Sequence, residues 1–387
     1  MKRKVCVVIT ARPSYARVKT ALKAIQEHPD LELQTVVAAS AVLKRFGKTS
    51  HYIEDDGFKI DASVHMVVEG ENLVAAAKTT GLGLVELATV FDNLKPDVVI
   101  TIADRYETIS TSIAAAYMNI PLAHIQGGEV TGSIDEKVRH ANTKLADLHF
   151  VSTQKAKSRV ISMGENPEQV YWTGCPSIDL AAAVAKNPAL NFNPFDKYGG
   201  VGSNFDLQKG YLVVMQHPVT TEYDNAARQI TETLYAISDL EIPTFWFWPN
   251  VDAGSDQTSG AIRSFRELER QRTNHIHFFK NMEPEDFLRL IINSQCLIGN
   301  SSVGIRECSF LSIPVVNIGT RQIGRERGPN VLDCGHSRHE IRKAVETQLK
   351  KSRPPQDLLY GNGDAGKRIA AALASAPLSY EKQLQDR

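Results

Sequence analysis

The chain reads as an α/β protein of two domains, each a parallel sheet covered by helices. Short apolar runs of strand length alternate with segments of helical period along most of its length. The alternation breaks once, over 187–202, where Pro188, Pro194, Gly199, Gly200 and Gly202 leave little periodicity, and then restarts. At 387 residues the chain also exceeds one ordinary core, so two domains of about 150–200 residues are expected. The expected domains are 1–186, joined by a C-terminal helical segment within 365–387, and 203–364, with 187–202 as the linker.

In the first half, 5–10 is apolar without alternation, the pattern of a strand buried on both faces. Residues 14–28 follow with helical spacing through Ala16, Val18, Ala21, Leu22 and Ile25. The strand 33–38 comes next. A long helix is expected over 73–94, and Lys95-Pro96-Asp97 ends it before the strand 98–102. Then come helix 106–118, strand 121–125, helix 134–146 and strand 148–152. After the break the same plan resumes: strand 211–215, helix 226–240, strands 244–248 and 275–279, and helix 284–292. Ligands of such sheets bind beyond the carboxyl ends of the strands. The polar clusters lie there: Arg12, Asp104-Arg105, and 126–129. Two such domains facing each other would enclose a cleft lined by these loops.

The bulk composition narrows the partners. Forty-four basic residues balance forty-four acidic ones, which gives no footing for nucleic acid or an anionic membrane. No run of about 18 apolar residues suggests a membrane span, and the short apolar stretch after Met1-Lys2-Arg3-Lys4 stops at Arg12 and Pro13 without a cleavage site. The cytoplasm is the expected location. Cys6, Cys175, Cys296, Cys308 and Cys334 show no metal spacing and read as buried thiols. The run Phe245-Trp246-Phe247-Trp248 reads as a buried strand, and Arg263, Arg266, Arg270 and Arg272 as a solvated helix face. His275 and His277 lack nearby carboxylates and make no credible metal site.

The most telling stretch is Gly299-Asn300-Ser301-Ser302-Val303-Gly304-Ile305-Arg306-Glu307. It lies between the apolar runs 296–298 and 313–318, so it reads as a strand, a tight polar turn and a helix start. Ser302 is the expected N-cap. Free backbone N–H groups and the helix dipole then favour a phosphate. Glu307 could accept two hydrogen bonds from a ribose diol.

Several long motifs resemble those of UDP-N-acetylglucosamine 2-epimerases. They are His124-Ile125-Gln126-Gly127-Gly128-Glu129-Val130-Thr131-Gly132-Ser133-Ile134-Asp135-Glu136, Val138-Arg139-His140 and Thr143-Lys144-Leu145. Further on come Gln216-His217-Pro218-Val219-Thr220-Thr221-Glu222, Pro249-Asn250-Val251-Asp252-Ala253-Gly254-Ser255 and Gly319-Thr320-Arg321-Gln322-Ile323-Gly324-Arg325-Glu326. The match runs in order from Thr10 to about Asn330 and is most similar to the hydrolysing branch of sialic and related nonulosonic acid biosynthesis. The resemblance implies two Rossmann-like domains of the GT-B type with an interdomain cleft. It also implies a UDP-sugar substrate, no cofactor and no metal, and a homodimer or homotetramer.

The reaction it implies removes UDP by anti elimination across C1–C2 and then adds water to 2-acetamidoglucal. The expected product is N-acetylmannosamine, or its counterpart if the sugar is UDP-2,4-diacetamido-2,4,6-trideoxyglucose on the legionaminic acid route. A GT-B glycosyltransferase and a non-catalytic nucleotide-sugar sensor are the other readings. By resemblance, Ser301, Ser302 and Glu307 hold phosphate and ribose, Arg12 and Arg321 stabilise the leaving diphosphate, and Arg17, Arg105 and Asn250 complete the binding set. Arginine suits the task because its planar fork pairs with phosphate at two points. Asp104, Asp135 and His217 match catalytic positions, although either aspartate could merely cap a helix and a histidine is often just packed. Gln126 stands where many relatives carry glutamate, and an amide takes no proton at neutral pH. Three readings follow: the base role passes to Asp104, Asp135 or Glu129, Gln126 marks a subgroup acting on a modified sugar, or the protein is a weak enzyme. The first two are favoured because the other motifs are intact, with Gln126 positioning the sugar.

Overall fold

A computed structural model describes residues 1–43, 49–69, 73–103, 105–130, 134–249 and 255–385. Asp104 and Asn250 lie outside them. The elements run β1 (Arg3–Ile9), α1 (Arg12–Glu27), β2 (Leu31–Ala38), α2 (Thr49–Asp55), β3 (Ala62–Val64), α3 (Leu73–Leu94), β4 (Val98–Ile102) and α4 (Thr108–Tyr117). They continue with β5 (Leu122–Ile125), α5 (Ile134–Leu145), β6 (Leu148–Val151), α6 (Gln154–Ser162), β7 (Val170–Trp172) and α7 (Pro176–Lys186). Next come α8 (Pro194–Tyr198), β8 (Val201–Gly202), β9 (Leu212–Met215), α9 (Ala226–Ser238), β10 (Thr244–Phe247), α10 (Ser255–Leu268), β11 (Ile276–Phe279) and α11 (Pro284–Ile292). The chain ends with β12 (Cys296–Gly299), α12 (Ser302–Ile305), α13 (Glu307–Phe310), β13 (Val315–Ile318), β14 (Val331–Cys334), α14 (Arg338–Lys350) and α15 (Ala365–Ser375).

These elements form two compact units. One holds Met1–Val130, Ile134–Leu180 and Tyr360–Arg387, and the other holds Ala181–Leu359. In the first, seven parallel strands lie in the order β3-β2-β1-β4-β5-β6-β7. Val5, Val7 and Ile9 of β1 feed a core with Val18, Leu22 and Ile25 of α1. Cys6 and Val8 face the other way, onto Leu87 and Phe91 of α3. A strand covered on both faces has no polar face, which is why 5–9 reads as continuously apolar. Helix α15 packs beside α1, where a Cβ on Gly366 would come within 2.6 Å of the Thr20 carbonyl oxygen. Helix α3 departs from the expectation of no membrane-length apolar segment, since by length and composition it could cross a membrane. Its Ala75, Thr79, Gly83, Leu87 and Phe91 are buried in this unit.

The second sheet has the order β14-β13-β12-β9-β10-β11-β8, parallel except for the edge strand β8, which runs antiparallel to β11. Leu212, Val214, Trp246, Phe278, Ile298 and Val316 supply one face of its core. The aromatic run is buried as expected through Phe247. Residues 187–202 are more than a linker. They carry α8 and β8, and Phe195 packs edge-on to Phe205 with ring centroids 5.3 Å apart. Lys197 there bonds Asp286 at 2.7 Å. A short proline- and glycine-rich segment can still be ordered when one aromatic ring finds the core.

Each sheet reverses its strand order once, and a crevice opens at such a switch point beyond the carboxyl ends of the strands. In the first unit the switch lies between β1 and β4, and in the second between β9 and β12.

Candidate active site

In the first unit Arg12 opens α1 directly after β1, and its guanidinium lies 4.9 Å from the Tyr52 ring centroid. The helix starts two residues earlier than its apolar spacing suggests, because Pro13 fits the first turn, where no N–H is needed. Arg17 is half-buried one turn later. On the other side of the switch, Arg105 pairs with the buried Glu107 at 2.8 Å. The residue before α4 is Glu107, which makes no side-chain cap.

The ends of β4 and β5 are strained. Ala103 has φ +59° and Gln126 φ +68°, values that side-chain-bearing residues rarely adopt and that cluster at functional sites. Both are held by the neighbouring strand: Ala103 N–H donates to Ile125 and Gln126 N–H to Phe150, each at 2.9 Å. His124 locks the pair. Its ring nitrogens lie 2.9 Å from the Ala103 carbonyl and 3.1 Å from the Thr143 hydroxyl. Complete burial pushes its pKa down to about 4, with the Ala103 contact opposing, so His124 is a neutral brace rather than a proton carrier.

Gln126 is 2% exposed and its carboxamide N–H donates to Cys175 Sγ at 2.9 Å. That contact leaves the amide oxygen as its remaining acceptor. Cys175 Sγ also lies 3.0 Å from Ser177 Oγ. Glu129 is buried and accepts the Ser152 hydroxyl at 2.8 Å. Asp135 is half-buried in the first turn of α5.

In the second unit Asn300 is the hub. It is 1% exposed and directly follows β12. Its side chain accepts from the His217 N–H and donates to the His217 carbonyl, both at 2.8 Å, so it clamps the end of β9 across the switch. Its own carbonyl accepts from Gln322 at 2.8 Å and from Arg321 at 3.2 Å. His217, Arg321 and the 300–302 turn are thereby brought together. Gly299 makes the approach possible. It has φ +134°, and a Cβ there would sit 2.1 Å from the Met215 carbonyl oxygen.

The N-cap of α12 is Ser301, not Ser302: Ser301 Oγ accepts from the Val303 N–H at 3.4 Å. Ser302 Oγ instead accepts from the fully buried Arg306 guanidinium at 2.8 Å. The helix is four residues long and bends at Arg306 before α13 begins at Glu307. Glu307 is 6% exposed, and its Oε2 has no hydrogen-bond partner among the described residues. Among the described residues the one cation within 4 Å is Arg306, at 3.9 Å. Beside this, Glu222 bonds the Thr320 hydroxyl and accepts from Gln229 at 2.8 Å, tying the His217 loop to the Arg321 loop. The Thr320 hydroxyl, against opposing burial, keeps the Glu222 carboxyl below its ordinary pKa.

Of the residues expected from the sequence, His217, Ser301 and Arg321 lie together around Asn300, whereas Asn300, Gln322, Glu222, His124 and Cys175 were given no role. An asparagine among the small residues of the 299–302 turn is the one local signal that could have found Asn300.

Two doubly wound units of the GT-B type, each with polar clusters at its strand ends, define the class of fold. Over residues 23–374 the chain matches the UDP-N-acetylglucosamine 2-epimerase family, and it belongs to that family. A Legionella pneumophila protein named UDP-N,N'-diacetylbacillosamine 2-epimerase (hydrolyzing) is 31% identical over 380 residues, covering 98% of this chain and 97% of that one. An Escherichia coli protein named polysialic acid biosynthesis protein P7 is 33% identical over 348 residues, covering 89% and 85%. The crystal structure of the Neisseria meningitidis UDP-GlcNAc 2-epimerase bound to UDP-GlcNAc has the same fold, with a TM-score of 0.76, 19% identity and coverage of 96% and 99%.

Proposed function

We propose that the chain is a hydrolysing 2-epimerase that converts UDP-N-acetylglucosamine and water into N-acetylmannosamine and UDP. The observation that carries this reading is the gathering of His217, Ser301 and Arg321 around Asn300, beside a buried carboxylate with an unfilled oxygen. A nucleotide diphosphate satisfies each group. The Glu307 oxygen takes ribose hydroxyls, Ser301 and Ser302 take phosphate, and Arg12 and Arg321 neutralise the leaving group.

In the elimination step a carboxylate takes the C2 proton while the C1–O bond breaks, and its electron pair leaves on UDP. The C2 proton has little acidity until positive charge grows at C1, so stabilising the leaving diphosphate comes first. His217 contacts the phosphate or gives it a proton. Asp104, Glu129 and Asp135 are the candidates for the C2 base. Gln126 offers its amide oxygen to the sugar, with one of its two N–H groups spent on Cys175. Water then returns a hydroxyl to C1 and a proton to C2 with inverted configuration.

A second reading keeps the chemistry and changes the sugar to UDP-N,N'-diacetylbacillosamine. It is favoured by the name of the L. pneumophila relative. One experiment tests both: each UDP-sugar is incubated with the protein in deuterated water. Free UDP with a 2-epimerised sugar deuterated at C2 is the expected result, and the sugar that turns over selects the reading. UDP release only with an added acceptor would instead mean glycosyl transfer, and no turnover of either sugar would refute the proposal.

A further inference from the structure

The arginines expected as one solvated face do not behave alike. Arg272 bonds Asp239 at 3.0 Å and approaches Glu269 at 3.4 Å. Arg338, Arg342 and Arg289 in the same unit are likewise paired with carboxylates. Arg263, Arg266 and Arg270 have no carboxylate partner among the described residues. All three line one cavity of about 380 Å³. Arg263 and Arg266 are one turn apart on α10, and Arg270 follows directly after the helix, so their side chains share a side.

Two of the three are already held in place. The Arg263 guanidinium lies 5.8 Å from the Trp248 ring centroid and that of Arg266 5.0 Å from the Phe278 centroid. An aromatic face restrains a guanidinium without neutralising it, so its N–H fork stays available and loses less freedom on binding. Thr273 and Asn274 add a hydroxyl and an amide to the wall. One carboxylate, Glu267, also lines the cavity. Three cations against one anion leave a surplus of two positive charges.

The cavity lies at the amino end of β11, among Thr273, Asn274 and Ile276. The Asn300 cluster lies at the opposite, carboxyl end of the same sheet, so the two do not overlap. We propose that this cavity is a second anion site, for a small ligand bearing two or more linked phosphate groups. A single phosphate would leave one of the converging guanidinium forks without a partner, whereas linked phosphates engage them together. The balanced charge of the whole chain argues against nucleic acid as the occupant.

The test is calorimetric titration of the full chain with inorganic tripolyphosphate. Wild type is compared with R263A/R270A and with R272A, whose arginine is paired and does not line the cavity. Wild type and R272A are expected to bind one more equivalent than R263A/R270A. For the double variant, two lost charge-assisted contacts correspond to about 150- to 25,000-fold weaker binding, which removes this site from the titration. Arg270 stacks on no ring among the described residues, so R270A alone, which loses one contact and about 10- to 150-fold in affinity, serves if the double variant does not fold. Identical isotherms for wild type and R263A/R270A, or an equal loss in R272A, would overturn the proposal. Citrate taken up as tightly as tripolyphosphate would overturn the assignment to phosphate. Because the readout is a difference at these arginines, the result stands whether or not the chain turns over a UDP-sugar.

Discussion

Glu307 gives the sharpest test of the nucleotide assignment. Its Oε2 is buried, bonded to nothing described, and only loosely accompanied by Arg306 at 3.9 Å. A carboxylate in that state is costly unless a ligand completes it. If ribose hydroxyls do so, each hydrogen bond to the charged oxygen contributes about 1.5–3 kcal/mol, or roughly 10- to 150-fold in affinity. Glu307→Gln keeps the shape and removes the charge. Calorimetry should then show UDP binding weakened by at least about tenfold, with a smaller loss for 2′-deoxy-UDP, which lacks one of the hydroxyls. The difference between the two ligands is what identifies the ribose, since a general disturbance of α13 would weaken both alike. Equal losses for UDP and 2′-deoxy-UDP, or unchanged UDP affinity, would refute the reasoning.

Three further outcomes are expected. If Gln126 positions the sugar, Gln126→Ala should lower kcat/KM by about 10- to 100-fold and Gln126→Glu by less; a fall beyond about 1,000-fold in the alanine variant would give the side chain a chemical role. Gly319 has φ +72°, and a Cβ there would meet His336 Nε2 at 2.1 Å. Gly319→Ala should therefore cost about 1–3 kcal/mol from the backbone alone and displace Arg321, raising KM, with His336→Ala restoring part of the loss; wild-type kinetics in Gly319→Ala would contradict it. Glu165 is 2% exposed and is reached by Lys382 at 2.6 Å, Lys144 at 2.7 Å and His149 at 3.1 Å. Burial alone would raise its pKa, but these three bonds pull it down from 4.5 to about 2. The unfolded chain then takes up a proton that the folded one refuses. The stabilisation is thus full above about pH 4.5 and lost as pH falls toward about 2. Glu165→Gln should flatten the thermal midpoint across that window, and an unchanged slope would show that the cluster contributes nothing.

The fold was legible because its signals are local. A strand buried on both faces must be apolar throughout, as 5–9 and 212–215 are, and a break such as Lys95-Pro96-Asp97 fixes where a helix stops. The errors fall where a distant contact overrides the local signal. The segment 187–202 has the composition of a linker, but Phe195 and Lys197 find partners on β10 and α11 that no local pattern announces. The exchange of Ser302 for Ser301 as the N-cap has the same origin. Either serine suits the role, and the buried Arg306 takes the second hydroxyl for itself.

The candidate site divides along the same line. Residues that would touch a ligand carry recognisable chemistry, so His217, Glu307 and Arg321 stand out in sequence. The residues that aim them do so through bonds between a side chain and a backbone group. The Asn300 side chain holds the His217 peptide group and the Asn300 carbonyl holds Arg321, so each bond ends on a backbone group that leaves the residue type there unconstrained. Gln126 shows both sides of this. Its identity is visible and unusual, yet its meaning rests on a left-handed backbone and a Cys175 contact 49 residues away in sequence. With one N–H turned to sulfur, the amide keeps its oxygen as an acceptor and its second N–H as a donor. An ionised glutamate placed there would also present acceptors but would leave Cys175 Sγ without that donor. On the proposed reaction, the pairing with cysteine fits a side chain kept as an amide to orient the sugar, with the C2 proton left to one of the candidate carboxylates.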